Sequence, residues 1–158
     1  MYQDYKDLLS AFHAHGVKYL IVGAYAVIYH AQPRFTKDLD LFIKADAANA
    51  RATYDALAEF GVPLKGIRPE EFADRSSLFR FGRDPRGFDI LADLPGVDFD
   101  AAWERRVEAV IDPETGLKAN FISSDDLIAA KLASGRLQDL ADVEAIRKAA
   151  EAQRRDRR

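Results

Sequence analysis

Three aspartates are candidates for binding a metal ion. The first two, Asp38 and Asp40, lie at the start of a predicted strand. Successive strand side chains alternate between faces, so these two project from the same side with their Cα atoms about 6–7 Å apart. Neighbouring carboxylates repel each other, and a divalent cation compensates for that repulsion. Magnesium prefers oxygen ligands and often binds one or two carboxylates together with substrate phosphates. The Asp-x-Asp pair alone is a weak indication, because exposed strand ends also carry such pairs.

The third aspartate, Asp89, lies between Phe88 and Ile90 in another predicted strand. A carboxylate in so apolar a segment needs a partner, which can be a metal, an arginine or backbone donors. The residues alone leave these three partners open. Asp93 is interpreted as a cap or turn residue past the end of the strand. Asp89 is therefore the better candidate for a third metal ligand.

A glycine turn precedes the acidic pair, where the predicted strand 19–22 passes through Gly23 into a predicted helix over 24–31. Backbone N–H groups at a helix start attract phosphate, although such a turn also serves close packing alone. Two cations, Arg34 and Lys37, come just before Asp38. They are interpreted either as phosphate contacts or as exposed loop residues.

Helices and strands alternate along the chain, which predicts an α+β (α/β-like) fold with helices covering a sheet. A helix ends near Gly16, and another is capped by Asp46 and closed by Gly61. Ser123 begins a helical region over about 123–152, which Gly135 either splits or leaves whole. Its predicted apolar stripe comprises Leu137, Leu140, Val143 and Ile146, and the arginine-rich end is expected to be solvated. Further strands are predicted at 78–81, 88–91, 107–111 and 117–122, with hairpin chemistry over 83–87.

The composition limits the class of protein. The 158 residues suit one domain, 1–158, with a core over about 1–122. The absence of cysteine excludes disulfides, thiolate zinc sites and a cysteine nucleophile. A net charge of -3 argues against a charge-driven nucleic-acid binder. With no signal peptide and no apolar run near the ~20 residues of a membrane span, a cytoplasmic protein is expected.

Together these residues resemble the nucleotidyltransferase superfamily, which includes polymerase beta, antibiotic nucleotidyltransferases and MNT-type proteins. Its pattern is an apolar residue and Gly followed by Gly or Ser, then about a dozen residues, Asp-apolar-Asp, and a third carboxylate on a later strand. Here Val22-Gly23-Ala24 precedes Asp38-Leu39-Asp40, and Asp89 is the third acid. Ala24 departs from the pattern, because alanine has no hydroxyl for a phosphate.

A narrower resemblance is to small bacterial nucleotidyltransferases near the abortive-infection AbiEii type. It rests on residues 23–27 and on Pro33-Arg34-Phe35-Thr36-Lys37 before the acidic pair. Those toxins carry a late helical motif of a lysine, an arginine and acids. The corresponding residues here are Lys131, Arg136, Asp139 and Asp142.

The resemblance implies a mixed sheet flanked by helices and a magnesium-dependent reaction. Asp38, Asp40 and Asp89 would hold two Mg²⁺ ions, with Asp89 on the catalytic metal and available as general base. Gly23 and Ala24 would cradle the β- and γ-phosphates of a nucleoside triphosphate (NTP). Further nucleotide contacts would come from four cations: Arg34, Lys37, Lys131 and Arg136.

The resemblance also implies transfer of a nucleoside monophosphate to a hydroxyl on RNA, protein or a small molecule. A toxin–antitoxin or phage-defence role, with an antitoxin partner or a homo-oligomer, follows from the AbiEii likeness alone. The alternative is a non-catalytic nucleotide-binding or antitoxin/assembly module that retains the fold. A haloacid-type phosphatase or an EF-hand calcium protein fits poorly, because the residues after Asp40 lack their motifs.

Overall fold

A mixed six-stranded sheet forms the centre of the molecule in the computed structural model, which describes residues 1–36, 38–83 and 86–158. The strands are β1 (Tyr19–Val22), β2 (Leu39–Ile43), β3 (Leu78–Phe81), β4 (Phe88–Leu91), β5 (Val107–Asp112) and β6 (Leu117–Phe121). The helices are α1 (Gln3–Ala14), α2 (Gly23–His30), α3 (Ala47–Phe60), α4 (Phe99–Glu104), α5 (Ser124–Ser134) and α6 (Leu137–Asp156), with a short 3₁₀ helix over Pro69–Ala73.

The strand order is β3-β4-β2-β1-β6-β5, which places β2 and β1 at the centre. Strand β2 pairs antiparallel with β1 and parallel with β4, and β1 pairs parallel with β6. Antiparallel pairs β3-β4 and β5-β6 complete the two edges. The predicted α+β fold with a mixed sheet and C-terminal helices is confirmed. The predicted hairpin turn at 83–87 lies partly outside the described residues.

Helices cover both faces of the sheet, because strand side chains alternate between two apolar clusters. On one face α1 and α3 pack against Tyr19, Ile21, Leu39 and Leu41. On the other face α2, α4, α5 and α6 contribute to a cluster with Leu20, Val22, Phe42 and Ile122. Among the described residues, no helix combines the length and the apolar character needed to cross a membrane.

Helix caps fall at the predicted residues. The Asp46 carboxylate accepts a hydrogen bond from the N–H of Asn49, and Gly61 ends α3 in the left-handed conformation. The Ser123 hydroxyl caps α5 by accepting from the N–H of Asp126. Gly135 ends α5 with φ +69°, so the C-terminal region is two helices. Glycine is favoured at this position because other residues are strained at positive φ.

The inward face of α6 differs from the predicted stripe. Val143 and Ile146 are buried as predicted, but Leu137 is 88% exposed and Leu140 47% exposed. Asp139 and Asp142 are buried instead, and with Val143 and Ile146 they follow helical spacing. The stripe prediction was therefore wrong for both leucines, because two acids face inward. The helix also continues to Asp156 rather than ending near 152, since its last turns contain good helix formers.

Candidate active site

The three predicted acids meet near the middle of the sheet. Asp40 on β2 lies in register with Val22 on one side and with Asp89 on the other. Asp38 comes immediately before β2 and shares the side of Asp40. Because β2 and β4 run parallel, the side chains of Asp40 and Asp89 are direct neighbours. The carboxylates gather on the sheet face that α5 and α6 cover.

The accumulated negative charge acts most strongly on Asp40. Burial raises the pKa of Asp40, and the charges of Asp89 and Asp38 together with a hydrogen bond to Asp89 raise it further, to about 7. The charge of Lys131 opposes this shift without cancelling it. At neutral pH the site therefore has an unmet demand for positive charge.

Asp89 has an arginine partner. Its side chain is buried, and the Arg80 guanidinium on β3 donates from Nε to Oδ1 at 2.9 Å and from Nη2 to Oδ2 at 3.1 Å. Arg80 and Asp89 are register partners across the β3-β4 pair. Of the three partners that the sequence left open for Asp89, the structure shows the arginine.

The donor set fits a magnesium ion. Among the described residues, no three His, Cys, Asp or Glu side chains are already arranged as a metal site. The carboxylates of Asp38, Asp40 and Asp89 nevertheless provide hard oxygen ligands from adjoining positions, as magnesium requires. Burial is the main cause of the raised pKa of Asp40, and the charges of Asp89 and Asp38 add to it; a divalent ion would offset the repulsion among these charges.

Two glycines leave room for the acids. Gly23 begins α2 with φ +64°, and a Cβ placed there would overlap Asp40 Oδ2. A Cβ on Gly87 would lie 2.8 Å from Asp38 Oδ1. The carbonyl of Gly87 accepts hydrogen bonds from the buried Tyr5 hydroxyl and from the N–H of Leu39, which fixes this backbone beside Asp38.

Gly23→Ala is expected to displace the Asp40 carboxylate and to weaken binding of Mg²⁺ and nucleotide at least about tenfold. The new Cβ overlaps Asp40, and the positive φ adds strain of about 1–2 kcal/mol. Gly16→Ala is the matched control, because Gly16 has φ +67° and no atom lies within 4 Å of its added Cβ. Calorimetric titration and thermal unfolding of both variants measure the two effects. Equal behaviour of the variants would contradict the steric argument.

The late motif forms a cluster of ion pairs around two buried carboxylates, those of Asp139 and Asp142. Lys131 Nζ lies 3.3 Å from Asp139 and 3.0 Å from Asp142. Arg34 Nη1 lies 2.8 Å from each carboxylate oxygen of Asp142. Arg136 Nε donates to Asp139 at 2.8 Å. These pairs join the segment before β2 to α5 and α6.

Both acids of this cluster remain ionised. Burial favours the neutral form of Asp139, but hydrogen bonds from Arg136, Ser134 and Lys131 outweigh it and hold the pKa well below the ordinary value. The pKa of Asp142 is also lowered, because hydrogen bonds from Gln138, Lys131 and Arg34 outweigh its burial. Arg34 and Lys131 are therefore already paired with protein carboxylates.

A cavity of about 250 Å³ opens between the acidic cluster and α5. Its lining comprises Val22, Gly23, Asp40, Leu91, Leu94, Pro95, Leu127, Ala130, Lys131, Ser134, Arg136 and Asp139. Four of the predicted site residues thus share one cavity. Ala24 follows in the first turn of α2, and Lys37 lies outside the described residues. A larger depression, about 630 Å³, lies along α1 and α3 away from the acids.

Arg80 is the site residue that the sequence analysis missed. A signal for it existed in the two predicted strands on either side of the turn. If residues 81 and 88 pair, the antiparallel register places Arg80 opposite Asp89, and the structure has this register. Opposite charges in such positions attract each other across the pair.

The fold is that of a nucleotidyltransferase. A model of a family described as nucleotidyltransferases of unknown function (DUF6036) matches residues 3–151. The chain belongs to this family and is a nucleotidyltransferase, an enzyme of the class that transfers nucleoside monophosphates.

One solved structure shows the extent of the fold likeness. The lincosamide antibiotic adenylyltransferase LnuA, bound to lincomycin, aligns with a TM-score of 0.56 at 15% sequence identity. The alignment covers 93% of this chain and 96% of LnuA. At this identity the likeness concerns the fold alone. No curated protein matches the sequence.

Proposed function

We propose that the protein transfers a nucleoside monophosphate from an NTP to a hydroxyl acceptor in a magnesium-dependent reaction. The observation that carries this proposal is the register of Asp40 with Asp89, directly against the Gly23 turn. Paired carboxylates beside a helix start suit a metal-bound triphosphate, because the helix supplies N–H donors and the acids supply metal ligands.

Each acid has a distinct role in this proposal. Asp38 and Asp40 hold the magnesium ions jointly, and Asp89 completes the site on the side of the acceptor. Bound magnesium supplies charge neutralisation of the phosphates and a lowered pKa for the attacking hydroxyl. Asp89 would accept the proton of that hydroxyl once Arg80 releases one of its oxygens.

The phosphates occupy the start of α2 in this proposal. The first N–H groups of a helix have no partner within the helix, and the helix dipole adds partial positive charge there. The backbones of Gly23 and Ala24 therefore cradle the β- and γ-phosphates. Because the contacts come from the backbone, alanine in place of serine removes a hydroxyl but leaves the N–H groups.

The four candidate cations differ in how available they are to a bound nucleotide. Lys131 and Arg136 line the cavity with Asp40, so both lie where a phosphate or a base would enter. Arg136 is the more available of the two, because 77% of its side chain is exposed, against 12% for Lys131. Arg34 is assigned to holding Asp142, and a phosphate contact for Lys37 stays a prediction.

The acceptor is proposed to be a hydroxyl on RNA, protein or a small molecule that reaches the open side of the acids. A single domain over 1–158, a cytoplasmic location and a toxin–antitoxin or phage-defence role with an antitoxin partner or a second copy also remain proposals. They rest on composition and on the AbiEii resemblance rather than on a contact within the site.

Calorimetric titration with each NTP and Mg²⁺ tests the proposal, with the wild type compared with Asp38→Ala/Asp40→Ala. We expect Mg²⁺-dependent binding of at least one NTP that the double variant loses. The bound NTP then enters a pyrophosphate-release assay with candidate acceptors. Folded wild-type protein that binds no NTP under these conditions would sink the proposal.

A second candidate function is a nucleotide-binding or assembly module without turnover. Two observations favour it, namely the alanine at position 24 and the guanidinium that already neutralises Asp89. The two candidates separate at pyrophosphate release. Mg²⁺-dependent NTP binding without release, across RNA, protein and small-molecule acceptors, would favour the module.

A further inference from the structure

Arg80 is the counter-ion of Asp89, one of the three grouped acids Asp38, Asp40 and Asp89. It is bidentate, so both carboxylate oxygens accept a hydrogen bond. The Asp89 side chain is 10% exposed, whereas that of Arg80 is 67% exposed. The guanidinium thus covers a buried carboxylate from its solvent side.

The position of β3 makes this counter-ion movable. Strand β3 is the outer strand of the sheet, with β4 as its neighbour. The exposed guanidinium can exchange its contact with Asp89 for hydration, but the buried carboxylate that it leaves needs another cation in its place. The negative charges of Asp38 and Asp40 also attract the guanidinium, although less strongly than that of Asp89.

We propose that Arg80 is a tethered counter-ion that occupies Asp89 in the metal-free protein and is displaced when a divalent cation binds the acids. This inference rests on the proposed function. A guanidinium and a divalent ion compete for the same carboxylate, because both are cations and both need its oxygens. Arg80 therefore lowers the metal affinity of the free protein while it limits repulsion among the three acids.

A second ion pair provides a matched control. Arg105 donates to Asp126 from Nη2 at 2.8 Å and from Nε at 3.0 Å, which is the same bidentate form. Its exposure is also similar, at 55% for Arg105 and 11% for Asp126. Asp126 lies in the first turn of α5 and is not among the proposed metal ligands. Arg105→Gln therefore removes a comparable pair without touching the acids.

The test is titration of Mn²⁺ into metal-free protein without nucleotide, followed by the electron paramagnetic resonance signal of free Mn²⁺. We expect Arg80→Gln to bind Mn²⁺ about tenfold more tightly than the wild type, and Arg80→Lys to be intermediate. Arg105→Gln is expected to keep the wild-type Kd. In thermal unfolding, Arg80→Gln should lower the Tm of the metal-free protein, and saturating Mn²⁺ should remove the difference.

The outcomes separate this inference from the proposed function. If the wild type binds Mn²⁺ and Arg80→Gln binds it equally or more weakly, the counter-ion proposal fails and the metal site stands. If neither protein binds Mn²⁺ without nucleotide, the counter-ion proposal fails. If a second titration in the presence of NTP also shows no Mn²⁺ binding, the acids are not a metal site and the proposed function fails as well. Tighter binding by Arg105→Gln to the same extent would also overturn the assignment, because the effect would then be one of net charge.

Discussion

Asp40→Asn is expected to abolish nucleotidyl transfer and, at pH 8, to make the metal-free protein more stable than the wild type. The loss of transfer, at least about 100-fold, follows from removing a proposed metal ligand. The gain in stability follows from the pKa of Asp40, which the fold raises from 3.8 to about 7. An uncharged asparagine does not repel Asp38 and Asp89.

The sign of the pH dependence follows from linkage. Because the folded-state pKa of Asp40 exceeds the unfolded value, the folded state binds the proton more tightly. The stability that this proton provides is fully present below about pH 4 and is lost as pH rises to about 7. At pH 8 the wild type carries the whole penalty, on the order of 2 kcal/mol after allowance for solvent screening. That corresponds to a Tm difference of roughly 4–8 °C.

Thermal unfolding in the presence of a chelator, at pH 5 and at pH 8, measures this difference. The Tm of Asp40→Asn should be clearly above that of the wild type at pH 8, and the difference should be much smaller at pH 5. Asp112→Asn is the control of opposite sign, because a hydrogen bond from Thr115 lowers the pKa of Asp112. That variant should be less stable than the wild type at pH 8. A destabilised Asp40→Asn at pH 8 would show that the acids already have sufficient countercharge.

Local sequence patterns were enough to predict the strands on which the candidate acids lie. Asp38 and Asp40 begin a short apolar run, and the strand bounds 78–81 and 88–91 match the structure. The caps at Asp46 and Gly61 were also predicted, because capping depends on residues within one turn. The family of the chain was identified from the spacing of Gly23 and the acids, and the family match confirms it.

Contacts between distant segments could not be predicted in this way. The stripe of α6 was assigned to Leu137 and Leu140 because apolar residues usually face inward. Asp139 and Asp142 are buried there because Lys131 on α5 and Arg34, 108 positions before Asp142, compensate their charges. The periodicity of residues within one helix does not indicate which residues of another element will pair with them. The order of the strands is equally non-local, and it decides that Asp89 lies beside Asp40.

Lys131→Met is expected to be the most destabilising of the substitutions considered, by about 2–4 kcal/mol. Lys131 is 12% exposed and contacts two carboxylates that are 2% and 4% exposed. Removing one partner from a buried cluster leaves uncompensated charge, which costs about 3–5 kcal/mol in comparable pairs. Arg34 and Arg136 retain their contacts and reduce this cost. Chemical denaturation at pH 7 measures the free energy of unfolding.

The control and the rescue make the electrostatic origin testable. Lys148→Met removes an exposed ion pair between Lys148 and Glu144, both on α6, and should change the free energy of unfolding by less than about 0.5 kcal/mol. Lys131→Met/Asp142→Asn removes one of the two buried charges that lose their contact with Lys131 and should recover part of the loss. The folded-state pKa values of Asp139 and Asp142 are lowered, so the stability they contribute is present above their unfolded pKa and lost as pH falls. The cost of Lys131→Met should therefore be largest above about pH 5. If the single variant stays within about 1 kcal/mol of the wild type and the double variant is less stable, the two arginines suffice and Lys131 is free to serve the nucleotide.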